Sequence, residues 1–144
     1  MSVDRLAGSR STTCIAPRER APIGQHVLLV EDDPAVRKAT CMLLQTEGYQ
    51  VSVASSLREA LEKAGGSVPI DLLVTDYHLH GTETGIQVIA ALRKALDRDL
   101  KAVLLTGDSG PVVDNLCCDA HSCIVNKPVD AKVLFRVMRS LLVI

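Results

Sequence analysis

Aromatic residues are nearly absent from this sequence of 144 residues, in which there is no Trp, one Phe and two Tyr. Proteins that bind single-stranded nucleic acid usually stack the bases on aromatic side chains, and this chain has few such platforms. A net charge of −1 gives it no general attraction to nucleic acid or to an anionic membrane. We therefore expect no direct nucleic-acid binding and no membrane attachment.

Long hydrophobic runs are also missing, because apolar runs reach only about five residues where a membrane span needs about 20. No N-terminal stretch has the charged start and apolar centre of a secretory signal. The chain has five cysteines, an odd number, and Cys117 and Cys118 are adjacent, which disfavours a disulfide framework. We expect a cytoplasmic protein with reduced thiols.

The composition, 47% hydrophobic and 23% charged, is that of an ordinary globular domain. The chain is long enough for one domain. Residues 1–24 are rich in Ser, Thr, Arg and Pro and show no apolar periodicity. We interpret them as a flexible tail or linker that precedes a folded domain over 25–144.

From residue 26 onward, strand and helix patterns alternate five times. The predicted strands are 27–30, 50–54, 71–75, 102–106 and 122–126, and the predicted helices are 34–47, 56–65, 85–96, 109–120 and 130–142. The third helix is expected to bury Ile86, Ile89 and Leu92, and the last to bury Val133, Leu134, Val137, Met138, Leu141 and Leu142. This alternation predicts an α/β fold, a doubly wound parallel sheet of five strands.

Polar side chains stand at the carboxyl ends of four of the five predicted strands. The four groups are Glu31-Asp32-Asp33, Asp76, Thr106, and Lys127-Pro128. In a doubly wound sheet, ligands bind beyond these ends. If the strand order is 2-1-3-4-5, the first and third strands are neighbours about 4.8 Å apart, so their carboxylates can share a hard cation such as Mg²⁺. The long side chain of Lys127 can reach the same place from the fifth strand.

Together these charges favour phosphoryl chemistry. A bound Mg²⁺ and the Lys127 ammonium would keep Asp76 ionised and nucleophilic. The same cations would stabilise the charge on an incoming phosphoryl group, to which the Thr106 hydroxyl can donate.

The strings VLLVEDDP, LLVTDYHLHGTETG, VLLTGD and VNKPVD, in this order, resemble the receiver domain of bacterial two-component response regulators. The resemblance covers about residues 25–142 and implies a flavodoxin-like (CheY-like) fold of order 2-1-3-4-5. It implies that Asp76 is the phosphoacceptor, Thr106 the switch hydroxyl and Lys127 the phosphate-binding lysine. It also implies that Glu31, Asp32, Asp76 and the backbone carbonyl of His78 hold Mg²⁺.

The family takes its phosphoryl group from a phosphohistidine on a sensor histidine kinase or a histidine phosphotransfer protein. The resemblance therefore implies a signalling domain, a monomer or weak dimer, that catalyses only its own phosphorylation and slow dephosphorylation. The loop from His78 to Gly85 is most similar to receivers at the C-terminal end of hybrid sensor kinases. Ile124 stands where many members have Tyr or Phe. We expect no output domain after residue 144. Whether the chain is a stand-alone receiver or a piece of a hybrid kinase stays open.

Two other functions fit parts of the sequence. The chain could be a docking module that never takes phosphate and signals by its outer surface, because fold alone does not establish chemistry. It could also hold zinc, since His78 and His80, with Cys117, Cys118, His121 and Cys123, are suitable ligands. These ligands lack a paired C-x-x-C spacing.

Overall fold

The computed structural model describes residues 25–107, 121–127 and 129–142. Its five strands are β1 (His26–Val30), β2 (Gln50–Ala54), β3 (Leu72–Asp76), β4 (Lys101–Thr106) and β5 (Ser122–Asn126). The described residues also contain four helices, α1 (Pro34–Thr46), α2 (Leu57–Ala64), α3 (Gly85–Leu96) and α4 (Ala131–Leu142). The strands agree with the predicted bounds to within one residue. The helix predicted over 109–120 lies outside the described residues.

All strand pairs are parallel, and the sheet order is β2-β1-β3-β4-β5, which confirms the predicted fold and strand order. Leu29 pairs with Val74, and Val74 pairs with Val103 on the other side. Every residue of β1 and β3 is buried. The register brings the carboxyl ends of β1, β3, β4 and β5 to one edge of the sheet.

Helices cover both faces of the sheet. On one face, the alternate residues Val27 and Leu29 of β1 pack in one cluster with Leu44 of α1 and Met138 of α4. On the other face, Leu28 and Val30 belong to a second cluster with Ala60, Val88 and Leu92 of α2 and α3. This two-sided burial explains why the central strands read as unbroken apolar runs.

The burial of two helices differs in part from the prediction. In α3 the buried side chains include Val88 and Leu92, whereas Ile86 is only partly buried. In α4 the prediction missed Phe135, which is buried, and wrongly buried Val133, which is 37% exposed. In both helices, apolar residues also stand next to the buried face, so hydrophobic periodicity alone could not decide which apolar residues are buried.

The prediction of reduced thiols is wrong for one cysteine. Cys123 in β5 is disulfide-bonded, whereas Cys41 in α1 is free and partly buried. Cys117 and Cys118 lie outside the described residues. Within the described part of the chain, no helix is long and apolar enough to cross a membrane.

Candidate phosphoacceptor and metal site

The structure brings the predicted site residues together at the carboxyl edge of the sheet. Glu31 follows β1 directly, Asp76 is the last residue of β3, and Thr106 is the last residue of β4. Lys127 follows β5, and its amide donates to the Thr106 carbonyl at 2.7 Å, which continues the sheet pairing by one residue. Glu31, Asp76 and Thr106 are 4%, 8% and 1% exposed, so these three polar side chains lie inside the molecule.

Three carboxylates form the centre of the site. One oxygen each of Glu31, Asp32 and Asp76 lies within 4.8 Å of the other two. Asp32 reaches solvent, whereas the other two are buried. Like charges this close repel each other unless a cation lies among them.

Lys127 supplies one positive charge to this cluster. Its Nζ lies 2.5 Å from Oδ1 of Asp76, so the two groups form a close ion pair with a charge-assisted hydrogen bond. The Asp76 side chain is 11% exposed and that of Lys127 is 35% exposed. The ammonium therefore reaches a nearly buried carboxylate across the intervening strand β4.

The pKa of the Glu31 carboxyl is shifted by its burial beside the other acids. Burial is the main cause that raises the pKa of the Glu31 carboxyl to about 7. The Asp33 amide, which donates to Glu31 at 3.2 Å, lowers this pKa, and the charge of Asp76 raises it. Three hard carboxylate oxygens within 4.8 Å of one another are a ligand set that fits Mg²⁺.

Asp33, the third acid of the triplet, has a different role from its neighbours. Its Oδ1 accepts from the amides of Ala35 at 2.9 Å and Val36 at 3.2 Å, so it is the N-cap of α1. Arg37, one turn into α1, donates to the Glu31 carbonyl at 2.9 Å. The start of the helix thus holds the backbone that presents Glu31 and Asp32.

The β3–α3 loop, residues 77–84, contains His78, which is two residues after Asp76 in the sequence. His78 and Thr84 form an isolated antiparallel bridge, in which Leu79 donates to Glu83 at 3.1 Å and Gly85 donates to Tyr77 at 2.7 Å. Because the neighbours make these bonds, the peptide groups of His78 point away from Thr84. The loop therefore fixes the orientation of the His78 carbonyl, whose role as a metal ligand stays a prediction.

Sequence reasoning did not identify how α3 is attached to the site. Thr84 and Gln87 form a capping box, with Thr84 Oγ1 accepting at 3.3 Å and Gln87 Oε1 accepting at 3.0 Å. A Cβ on Gly85 would lie 2.4 Å from the Asp76 carbonyl oxygen and 2.6 Å from Cδ1 of Leu104. Only glycine lets α3 begin this close to the end of β3. The T-x-x-Q spacing was the available signal for the cap.

The zinc ligands do not gather in the described part of the chain. The group of three or more metal-capable side chains found there is Glu31, Asp32 and Asp76. His78 and His80 are both exposed and belong to no such group of described residues. Cys123 is in a disulfide.

Comparison with known proteins defines the class. Residues 27–139 match the family model of the response regulator receiver domain. The chain therefore belongs to the receiver domain family, whose members are phosphoacceptors in two-component signalling.

Relatives with curated names fall into two groups. The chain is 33% identical over 85 residues to the phosphate regulon transcriptional regulatory protein PhoB of Escherichia coli, covering 58% of this chain and 36% of that protein. It is 35% identical over 120 residues to the sensor kinase CckA of Brucella abortus, covering 81% of this chain and 12% of the kinase. The sensor protein TorS of Escherichia coli is 30% identical over 115 residues, which is 77% of this chain and 12% of TorS. The chain thus spans about a third or less of these proteins.

Solved structures agree with this fold. A CheY-like receiver domain from Methanospirillum hungatei has a TM-score of 0.70 at 25% identity, covering 82% of this chain and 93% of that one. The chemotaxis protein CheY4 of Vibrio cholerae has a TM-score of 0.72 at 24% identity, covering 82% and 98%. The second likeness bears on the fold alone.

Proposed function

We propose that this receiver domain accepts a phosphoryl group on Asp76, with Lys127, Thr106 and a Mg²⁺ ion held by Glu31 and Asp32 as the groups that make the transfer possible. The observation that carries the proposal is the position of Asp76. It is a nearly buried carboxylate that lies within 4.8 Å of two other acids and 2.5 Å from an ammonium group. An ordinary surface aspartate is solvated and is not surrounded by buried charged groups.

The metal would be held by carboxylate oxygens of Glu31, Asp32 and Asp76 together with the backbone carbonyl of His78. When bound, Mg²⁺ neutralises charge on the acidic cluster and on the phosphoryl oxygens. The three carboxylates and the raised pKa of Glu31 support this assignment.

Asp76, Lys127 and Thr106 would each have a separate role in the transfer. An oxygen of the Asp76 carboxylate attacks phosphorus, the P–N bond to the donor imidazole breaks, and the nitrogen keeps the electron pair. Lys127 Nζ, now beside Asp76, would pair with an oxygen of the arriving phosphoryl group. The Thr106 hydroxyl would donate to another of these oxygens. Attack of water on the acyl phosphate later restores the carboxylate and releases inorganic phosphate.

The proposed donor is a phosphohistidine on a sensor histidine kinase or a histidine phosphotransfer protein. The matches to the sensor proteins TorS and CckA support this class of partner. Apart from its own phosphorylation and slow dephosphorylation, the domain would catalyse nothing, and it would change state as a monomer or weak dimer. The cytoplasmic location stays a prediction.

The proposal is tested by intact-mass analysis after incubation with acetyl phosphate, with and without Mg²⁺, on wild type and Asp76→Asn. We expect one phosphoryl-sized increment that requires both Mg²⁺ and Asp76. Labelling that persists in Asp76→Asn would place the acceptor elsewhere. If neither acetyl phosphate nor a phosphorylated histidine phosphotransfer protein labels the wild type, the domain is a docking module.

A further inference from the structure

Glu83 in the β3–α3 loop makes contacts that the proposed chemistry does not use. Its side chain crosses to another element, where Oε1 accepts a hydrogen bond from the Leu57 amide at 3.1 Å. Leu57 is the first residue of α2, so this amide is one of the helical N–H groups that have no partner inside the helix. The carboxylate also lies at the positive end of the helix dipole, which strengthens the bond.

The backbone of Glu83 forms two hydrogen bonds within the same loop. Its carbonyl accepts from Leu79 at 3.1 Å, and its amide donates to the carbonyl of His80 at 3.3 Å. Leu79, 6% exposed, is buried in the second core cluster, against which Leu57 also packs. Glu83 therefore joins the loop to α2 by a polar contact beside an apolar one.

Glu83 bonds to Leu79, the residue that follows the proposed metal ligand His78. The His78 peptide is fixed on one side by the bond from Gly85 to Tyr77 and on the other by the bond from Leu79 to Glu83. A shift of Glu83 would move the second bond directly and rotate the His78 carbonyl. Groups that orient a ligand in this way commonly change metal affinity by about tenfold or more when removed.

We propose that Glu83 is a positioning residue of the phosphoacceptor site, which holds the His78 carbonyl in place by anchoring the 77–84 loop to the first turn of α2. The inference rests on the proposed function, because it assumes that His78 is a metal ligand. It also links the acceptor site to α2, so the position of the loop and the position of α2 depend on each other.

The test uses the full chain labelled with ¹⁵N, with Mg²⁺ affinity measured by NMR titration and amide exchange measured at Leu57. Glu83→Ala should weaken Mg²⁺ binding about tenfold and abolish the exchange protection of Leu57. Glu83→Gln keeps an acceptor oxygen and should retain both properties to within about threefold. Glu62→Ala is the matched control, because Glu62 is an exposed α2 glutamate paired only with Arg58 among its described contacts.

A second variant removes the donor instead of the acceptor. Leu57→Pro deletes the amide at the first helical position, where proline is tolerated, and the extended Ser56 before it (φ −155°) is compatible with proline. It also removes the Leu57 side chain, which packs against the second core cluster, so it is compared with Leu57→Ala and should bind Mg²⁺ about tenfold more weakly than that variant. This variant keeps the test decisive if Glu83→Ala fails to fold.

Three outcomes would overturn the inference. Unchanged Mg²⁺ affinity in Glu83→Ala, despite lost protection at Leu57, would mean that the contact does not position the site. A Glu83→Gln variant that keeps the protection of Leu57 but binds Mg²⁺ as weakly as Glu83→Ala would mean that the charge of Glu83 acts on the metal directly and not through the anchor. In both cases a wild type that binds Mg²⁺ and takes phosphate leaves the proposed function standing. A wild type that does neither would overturn the proposed function as well.

Discussion

At the scale of single residues, Glu31 links metal binding to pH. Its carboxyl is buried among acids and has a pKa of about 7, so near neutral pH the metal-free site carries a proton for part of the time. A carboxylate must lose that proton to bind a cation. We therefore expect Mg²⁺ affinity to rise as pH increases from about 6 to about 8.

The same pKa has an opposite consequence for the metal-free fold. The pKa of Glu31 is higher in the folded state than its ordinary value of 4.5, so the stability it contributes is present below about pH 4.5 and is lost as pH rises through about 7.

The pH dependence of Mg²⁺ affinity is measured by NMR titrations with Mg²⁺ between about pH 6 and about pH 8. Glu31→Gln is the control. An equally steep pH dependence in Glu31→Gln would assign the proton to another group.

Removing the charge of Lys127 should have opposite effects on Mg²⁺ affinity and on the rate of phosphorylation. The Lys127 ammonium lies 2.5 Å from Asp76, one of the carboxylates that we propose as metal ligands. Lys127→Met should therefore bind Mg²⁺ more tightly than wild type, because a competing cation is gone. It should accept phosphate roughly a hundredfold more slowly, because a preorganised charge on the phosphoryl group is lost.

Mg²⁺ titration and the rate of labelling by acetyl phosphate measure these two effects. Lys132→Met is the control, since Lys132 is an exposed lysine near the start of α4. If Lys127→Met weakened Mg²⁺ binding and labelling together, Lys127 would be supporting the fold of the site and not the transfer.

At the scale of elements, the site depends on how closely α3 approaches β3. Gly85 begins α3 against the Asp76 carbonyl, which also accepts from the Thr75 hydroxyl at 3.1 Å. Gly85→Ala should reduce the free energy of unfolding by about 1–3 kcal/mol and slow labelling, because the helix must move away from the acceptor. Chemical denaturation measures the first effect and intact-mass kinetics the second.

Gly65→Ala is the matched control for this substitution. Gly65 has φ −81° at the end of α2, and a Cβ there would meet nothing closer than 3.7 Å. It should be neutral or slightly stabilising, by less than about 1 kcal/mol. Equal effects of the two substitutions would contradict the close approach at Gly85.

The elements themselves were predictable because each carries a strong local signal. The unbroken runs of β1 and β3 indicated strands buried on both faces, and the order of motifs placed Asp76, Thr106 and Lys127 at one edge. Contacts between elements were not predictable in this way. The bond from Leu57 to Glu83 joins residues 26 positions apart, and no periodicity encodes it.

The acidic triplet shows the same limit within one turn of chain. The residues Glu31, Asp32 and Asp33 are chemically alike in the sequence, yet Asp33 caps α1 and the other two face Asp76. Pro34 at the first helical position identified the helix start, and an aspartate just before it is a preferred cap. This local rule could have assigned Asp33 before the structure was known. The disulfide of Cys123 had no comparable signal.

At the scale of the whole molecule, the described residues contain both core clusters and every residue of the predicted site. The strand β1 lies between β2 and β3 in the sheet, and the Gln25 carbonyl before it accepts from the Gln50 amide at 2.9 Å. We therefore propose that the folded domain begins near Gln25 and that residues 1–24 form a tail or linker. A chain of residues 25–144 should unfold within about 3 °C of the full chain, a shift that corresponds to less than about 1 kcal/mol.

The control for this truncation begins at Leu29, because it removes three of the five residues of β1, among them Val27 and Leu28, which are fully buried on opposite faces of the sheet. That chain should fail to fold, since both clusters lose a central member. Thermal unfolding by circular dichroism and labelling by acetyl phosphate check both chains. If residues 25–144 fold but take phosphate much more slowly than the full chain, the first 24 residues act on the site. If they unfold at a much lower temperature, the domain boundary lies further toward the N-terminus than Gln25.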